Sequence, residues 1–150
     1  MKKRILFVCS SGGHYAEMIK INDSFNEYNC KLLTVSTNKN NNDMPMKYVK
    51  IYYTKESRVL NYILGFLQCF FVWISFRPNV IISTGSNIAV MMFIWGKLLG
   101  SKLIYIESNA RVCTKSNTGK IVEILCDKII VQWPEMLKVY KNAEYWGILA

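Results

Sequence analysis

Short apolar runs separated by helix-length stretches recur along the chain, and this alternation restricts the fold more than any other feature. Residues 5–9, 31–35, 48–51, 80–83, 102–106 and 128–131 are β-branched or apolar runs that read as buried strands. Helical stretches fall between several of them at 14–25, 58–76, 87–99 and 119–126, and Pro134 opens a short one over 134–140. Strand and helix in alternation build parallel βαβ units. The expected fold is therefore α/β, a Rossmann-like, mostly parallel sheet with helices on both faces. A chain of 150 residues, 51% hydrophobic, supports one such core, and no linker or repeat marks a second, so residues 1–150 read as a single domain.

In such a sheet ligands collect beyond the carboxyl ends of the strands. Three polar clusters stand there: Ser10-Ser11-Gly12-Gly13-His14, Ser83-Thr84-Gly85-Ser86 and Glu107-Ser108-Asn109-Ala110-Arg111. All three are expected on one rim. Gly12 and Gly13 let the backbone approach a ligand where a helix amino terminus offers free N–H groups to an anion. His14 is the only histidine, and imidazole suits holding or accepting a proton at neutral pH, although a lone histidine is more often structural. Thr84, Gly85 and Ser86 read either as helix capping or as a second cradle for phosphate or sugar hydroxyls. Glu107, at the end of a central strand, needs a partner: pairing with Arg111 and hydrogen bonding to a ligand are both open.

Several function classes fall away on motif chemistry. G-x-G-x-x-G is absent and no acidic ribose ligand ends the second strand, which disfavours a dinucleotide site. No Gly-Lys-Ser or Gly-Lys-Thr follows the glycines, which excludes a P-loop. Five widely spaced cysteines without a C-x-x-C pair argue against both disulfides and a structural metal, and for a reducing compartment. The net charge of +9 suits an anionic membrane, phosphorylated substrates or nucleic acid, but the basic residues are spread evenly and no nucleic-acid motif is present. Only five apolar residues follow Met1-Lys2-Lys3-Arg4, too few for a secretory signal, so a cytoplasmic protein is expected.

Val59–Phe76 contains 18 residues without a charge, bracketed by Lys55, Arg58 and Arg77. As a helix it measures about 27 Å, just short of the ~30 Å hydrocarbon layer. One apolar face can pack on the sheet, and another is left over. A buried core helix is one reading. The aromatic residues and bracketing cations favour a helix at the bilayer surface over a span, because the strand at 80 must rejoin the same sheet.

Four segments in register resemble the Alg-fourteen family of oligosaccharide biosynthesis proteins and its bacterial capsule and exopolysaccharide relatives. They are Ser10-Ser11-Gly12-Gly13-His14, Pro78-Asn79-Val80-Ile81-Ile82-Ser83-Thr84-Gly85, Ile104-Tyr105-Ile106-Glu107-Ser108 with Arg111-Val112, and Val131-Gln132-Trp133-Pro134-Glu135. More distantly, Gly12-Gly13-His14 and Glu107-Ser108-Asn109-Ala110 resemble loops in the amino-terminal half of MurG, a two-domain enzyme of the GT-B type.

The resemblance implies the acceptor-side half of a two-subunit glycosyltransferase. A partner subunit would hold the UDP-sugar, and the acceptor would be a polyprenyl-diphosphate-linked saccharide in capsular or exopolysaccharide synthesis. On this reading His14 is the general base or an orienting group, Gly12, Gly13, Thr84, Gly85, Ser86, Glu107, Asn109 and Arg111 bind the acceptor, and neither a metal nor another cofactor is needed. The helix at 58–76 would attach the protein to the cytoplasmic face of the plasma membrane. Two rival readings are a non-catalytic membrane scaffold for the partner and a free-standing nucleotide-binding enzyme.

Overall fold

Seven strands form one sheet: β1 (Arg4–Cys9), β2 (Asn29–Val35), β3 (Tyr48–Ile51), β4 (Val80–Gly85), β5 (Lys102–Ile106), β6 (Lys128–Val131) and β7 (Ala143–Tyr145). They lie in the order β3-β2-β1-β4-β5-β6-β7, with every neighbouring pair parallel. This is a computed structural model, and it describes residues 2–35, 48–51 and 58–149. The asparagine-rich stretch 37–45, too polar to pack and so read from its composition as an exposed loop, lies outside the described residues, as does Lys55.

An all-parallel sheet must be covered on both faces, and side-chain alternation in β1 meets that requirement. Ile5, Phe7 and Cys9 point to one face, where Met18 of α1 (Gly13–Asn22) packs over them. Leu6 and Val8 point to the other, covered by α2 (Arg58–Phe76), α3 (Asn87–Leu98) and α4 (Asn117–Val122) through Cys69, Val72, Phe76, Ile88, Met92 and Val122. The crossover leaving β1 thus runs on one face and those flanking β4 on the other. Neighbours β1 and β4 form the switch point at which a doubly wound sheet opens a crevice. Their register also shifts there, between Val8 and Cys9.

The Rossmann-like expectation holds, with differences at element ends. After α1 the chain tightens into a 3-10 turn at Asp23–Phe25. Ser116 caps α4 by accepting from the Gly119 N–H, so that helix begins at Asn117 and has six residues rather than filling 119–126. Pro134–Lys138 is a 3-10 turn. Strand β7 carries no apolar run and was not expected; parallel pairing with β6 and an ion pair from Lys128 to Glu144 (3.0 Å) hold it at the edge.

Helix α2 is apolar on two opposite faces, as its charge-free run requires. Gly65, Cys69, Val72 and Phe76 are buried at helical spacing. On the flank, the Phe66 and Phe70 rings each lie 4.7 Å from the Trp95 ring, and the Trp95 indole N–H donates to the Phe66 carbonyl (2.9 Å). Away from the sheet, Val59, Leu60, Ile63, Leu67, Phe71 and Ile74 form an exposed stripe, with Val59 69% and Phe71 67% accessible.

Candidate functional site

The loops after β1 and β4 meet over the switch point. Gly12 adopts φ +91, a region that favours glycine, and its carbonyl accepts from Ala16 N–H (3.0 Å) as α1 begins. The Thr84 hydroxyl, buried at the end of β4, donates to the His14 carbonyl (2.7 Å) and ties the first turn of α1 to that strand. Gly85 has φ +125, and a Cβ there would stand 2.6 Å from His14 Cε1. The imidazole therefore rests on a backbone floor that only glycine provides. Ser86 follows at φ 133 and ψ 156, a conformation almost confined to glycine, and accepts from the Ile88 N–H (3.4 Å) as the cap of α3. Strain of this kind at a rim position is a common accompaniment of ligand sites.

A cleft of about 420 Å³ opens here, lined by Ser10, Ser11 and His14 from the first loop, Ser86 and Asn87 from the second, and Val35 and Thr118 beside them. Its volume is in the range of small-ligand pockets. Within His14, which lines the cleft, Nδ1 is buried without a partner. Hydroxyl and amide groups dominate the lining, a composition suited to saccharide hydroxyls.

The third cluster behaves differently from the other two. Glu107 is 1% exposed, and its carboxylate faces the interior. Oε1 accepts from Tyr105 OH (3.2 Å) and Ser108 N–H (3.0 Å), while Oε2 accepts from Tyr140 OH and Ser116 N–H (3.1 Å), with the Ser116 hydroxyl also in range (3.1 Å). These donors stand where the sequence left either Arg111 or a ligand open as the partner, and Arg111 is exposed in the loop. One carboxylate thus clasps both ends of the 108–116 loop. Burial, reinforced by the nearby Glu107 charge, holds the Tyr105 and Tyr140 phenols well above the ordinary tyrosine range. Gly119 is required beside this clasp, since a Cβ would overlap the Tyr140 hydroxyl and approach Glu107 Oε2 to 2.6 Å.

Asn109 is turned toward α1. Its N–H donates to Glu17 Oε1 (2.8 Å), its carbonyl accepts from the Trp133 indole (2.7 Å), and its side-chain oxygen is buried without a partner. Of the residues expected to bind a ligand, His14 and Ser86 line the cleft, Gly12, Gly13, Thr84 and Gly85 shape it, and Glu107, Asn109 and Arg111 are not among its walls. Sequence reasoning missed Thr118 and Glu17, while Asn87 directly follows the second cluster and reads there as a helix cap or part of the cradle. Only Glu17 carried a signal, a carboxylate one helical turn after the lone histidine.

The family described as "Oligosaccharide biosynthesis protein Alg14 like" matches residues 48–149. The UDP-N-acetylglucosamine transferase subunit alg14 of Schizosaccharomyces pombe is 31% identical over 99% of this chain and 84% of its own length. The ALG14 subunit of Mus musculus is 27% identical over 96% of this chain and 82% of its own length. Among solved structures, Acinetobacter baumannii MurG superposes with a TM-score of 0.76 at 11% identity, over 95% of this chain and 45% of that one. UDP-N-acetylglucosamine 2-epimerase from Rickettsia bellii does so with 0.78 at 10% identity, over 99% and 46%. The chain thus spans about half the length of each of these two neighbours, and at such identities the likeness is one of fold.

Proposed function

The chain belongs to the Alg14-like family of oligosaccharide biosynthesis proteins, and from that premise we propose that it is the acceptor-side subunit of a heteromeric, UDP-sugar-dependent glycosyltransferase. The names of its relatives support N-acetylglucosamine as the sugar and a second subunit as the holder of the donor. The acceptor is a polyprenyl-diphosphate-linked saccharide. The narrower setting, capsular or exopolysaccharide synthesis, is part of this proposal and is decided by which lipid-linked acceptor is extended.

One observation carries the reading: the sole histidine lines a cleft with serine, threonine and asparagine side chains, at the switch point of a sheet that matches half of MurG. From there an imidazole nitrogen takes the proton of an acceptor hydroxyl, or holds that hydroxyl in line, as its oxygen attacks the donor's anomeric carbon and the bond from that carbon to the phosphate oxygen breaks, releasing UDP. Ser10, Ser11 and Asn87 offer hydrogen bonds to neighbouring hydroxyls, and the opening turn of α1 faces the diphosphate with free N–H groups.

The exposed stripe of α2 supports peripheral attachment to the cytoplasmic face of the membrane. Six large apolar side chains on one face exceed what a water-facing helix ordinarily shows. Crossing the bilayer would instead strip Cys69, Val72 and Phe76 from the core they fill.

The test is His14→Ala, assayed with the partner subunit for transfer from UDP-N-acetylglucosamine to a polyprenyl-diphosphate saccharide. Loss of transfer with assembly intact is expected. Undiminished transfer would leave the scaffold reading, which the α2 stripe favours independently.

A further inference from the structure

Three buried polar atoms among the described residues have no hydrogen-bond partner: His14 Nδ1, Glu17 Oε2 and Asn109 Oδ1. They are not scattered. His14 and Glu17 lie three residues apart on α1, a spacing that puts side chains on one face with about 5–6 Å between their Cβ atoms. Asn109 is joined to Glu17 through its own N–H (2.8 Å).

The set is chemically complementary. A carboxylate oxygen and an amide oxygen can only accept, whereas an imidazole nitrogen donates when it carries the proton. Glu17 is also held unusually firmly for a residue on an outer helix. Its Oε1 receives the Ser108 hydroxyl (3.2 Å), the Asn109 N–H (2.8 Å) and the Gln132 amide (3.4 Å), donors from the loops after β5 and β6. With Oε1 committed to these three donors, Oε2 is the oxygen left for a further one.

We propose that Glu17 is the positioning residue for His14: its Oε2 accepts the proton carried by Nδ1, which fixes the imidazole tautomer and leaves Nε2 bare toward the cleft. The terminal torsion of a histidine is broad, and Gly85 places no Cβ against the ring that has to turn. Catalytic hydrogen bonds are often open in unliganded chains and close when substrate engages. This inference rests on the base role proposed for His14. It adds why Nε2, and not Nδ1, is the reactive nitrogen, and it assigns Glu17 a task that no motif announces.

Because the chain has one histidine, 15N NMR of the imidazole reads the tautomer without ambiguity. In the wild-type complex with its partner subunit and acceptor, at a pH where the ring is neutral, Nδ1 carries the proton. In Glu17→Gln, the three loop donors retain the amide oxygen, so the NH2 group falls at the Oε2 position and donates to Nδ1. The proton then moves to Nε2, the base is blocked, and kcat falls on the order of 100-fold with KM for the acceptor little changed. Glu17→Asp, which keeps the carboxylate, recovers part of kcat. A wild-type imidazole protonated on Nε2, or a tautomer indifferent to Glu17→Gln, overturns the pair whatever the transfer assay shows. A tautomer that switches while transfer is unimpaired upholds the pair and retires only the base role.

Discussion

The imidazole of His14 lies against the backbone of Gly85, so closely that a Cβ on Gly85 would stand 2.6 Å from Cε1. Two loops separated by 70 residues therefore define one feature, a ring seated on a glycine at the switch point.

Gly85→Ala meets both this contact and a φ of +125 that alanine tolerates poorly. The backbone strain alone is about 1–3 kcal/mol. Since a 1 Å displacement of a reacting group can cost on the order of 100-fold in rate, transfer by the reconstituted enzyme should fall that far. A thermal melt alongside separates this loss from unfolding.

Glu107→Gln removes a buried charge that holds both ends of the 108–116 loop and replaces one acceptor with a donor facing the Tyr105, Tyr140 and Ser116 groups. Unsatisfied buried groups cost about 1–3 kcal/mol each, so a clear loss of stability in urea is expected. Glu107→Asp should recover little, because the shorter side chain cannot reach Ser108 and Ser116 together. A Glu107→Gln chain of unaltered stability that merely binds acceptor more weakly would return Glu107 to the ligand.

The buried thiols give an alkaline limit. Burial pushes Cys9, Cys69 and Cys126 up to about 12, from an unfolded value near 9, and raises the Tyr105 and Tyr140 phenols as well. A pKa raised by folding means that the unfolded chain releases the proton first. Stability is whole below about pH 9 and declines as pH rises from 9 toward 12. Urea midpoints across that window check the sign. At pH 8, mass spectrometry after brief alkylation should find Cys113, which is exposed, labelled well before Cys9 and Cys69.

On α2, the two faces should answer differently to the same charge. Phe71→Asp, on the exposed stripe, should weaken flotation with anionic lipid vesicles while the melting temperature stays within a few degrees. Val72→Asp, one residue on but facing the core, should unfold the chain, since an unpaired buried carboxylate is not tolerated. Vesicle binding that survives Phe71→Asp together with Ile63→Asp would remove the lipid surface as the partner of this stripe.

Much of this was legible in the chain itself. Short continuous apolar strands alternating with helices leave a parallel sheet as the only economical way to bury both strand faces, and every strand from β1 to β6 lies within two residues of its sequence-based limits. The polar clusters after β1, β4 and β5 necessarily reach the carboxyl edge, because parallel strands end on the same side. Strand β7 was invisible, since Ala143-Glu144-Tyr145 has no apolar pattern and forms through pairing with β6.

Which way each rim side chain turns was decided by contacts that no local pattern encodes. Glu107 looks inward because Tyr140, 33 residues later, brings its hydroxyl to Oε2, and so the nearby Arg111 is not its partner. Glu17 enters the site because loops from two other strands supply its donors. Periodicity and small rim residues, acting over a few positions, suffice to determine the architecture and the edge where chemistry can occur. The division of that edge into cleft and clasp arises from hydrogen bonds between residues distant in the chain, which exist only once the sheet has assembled.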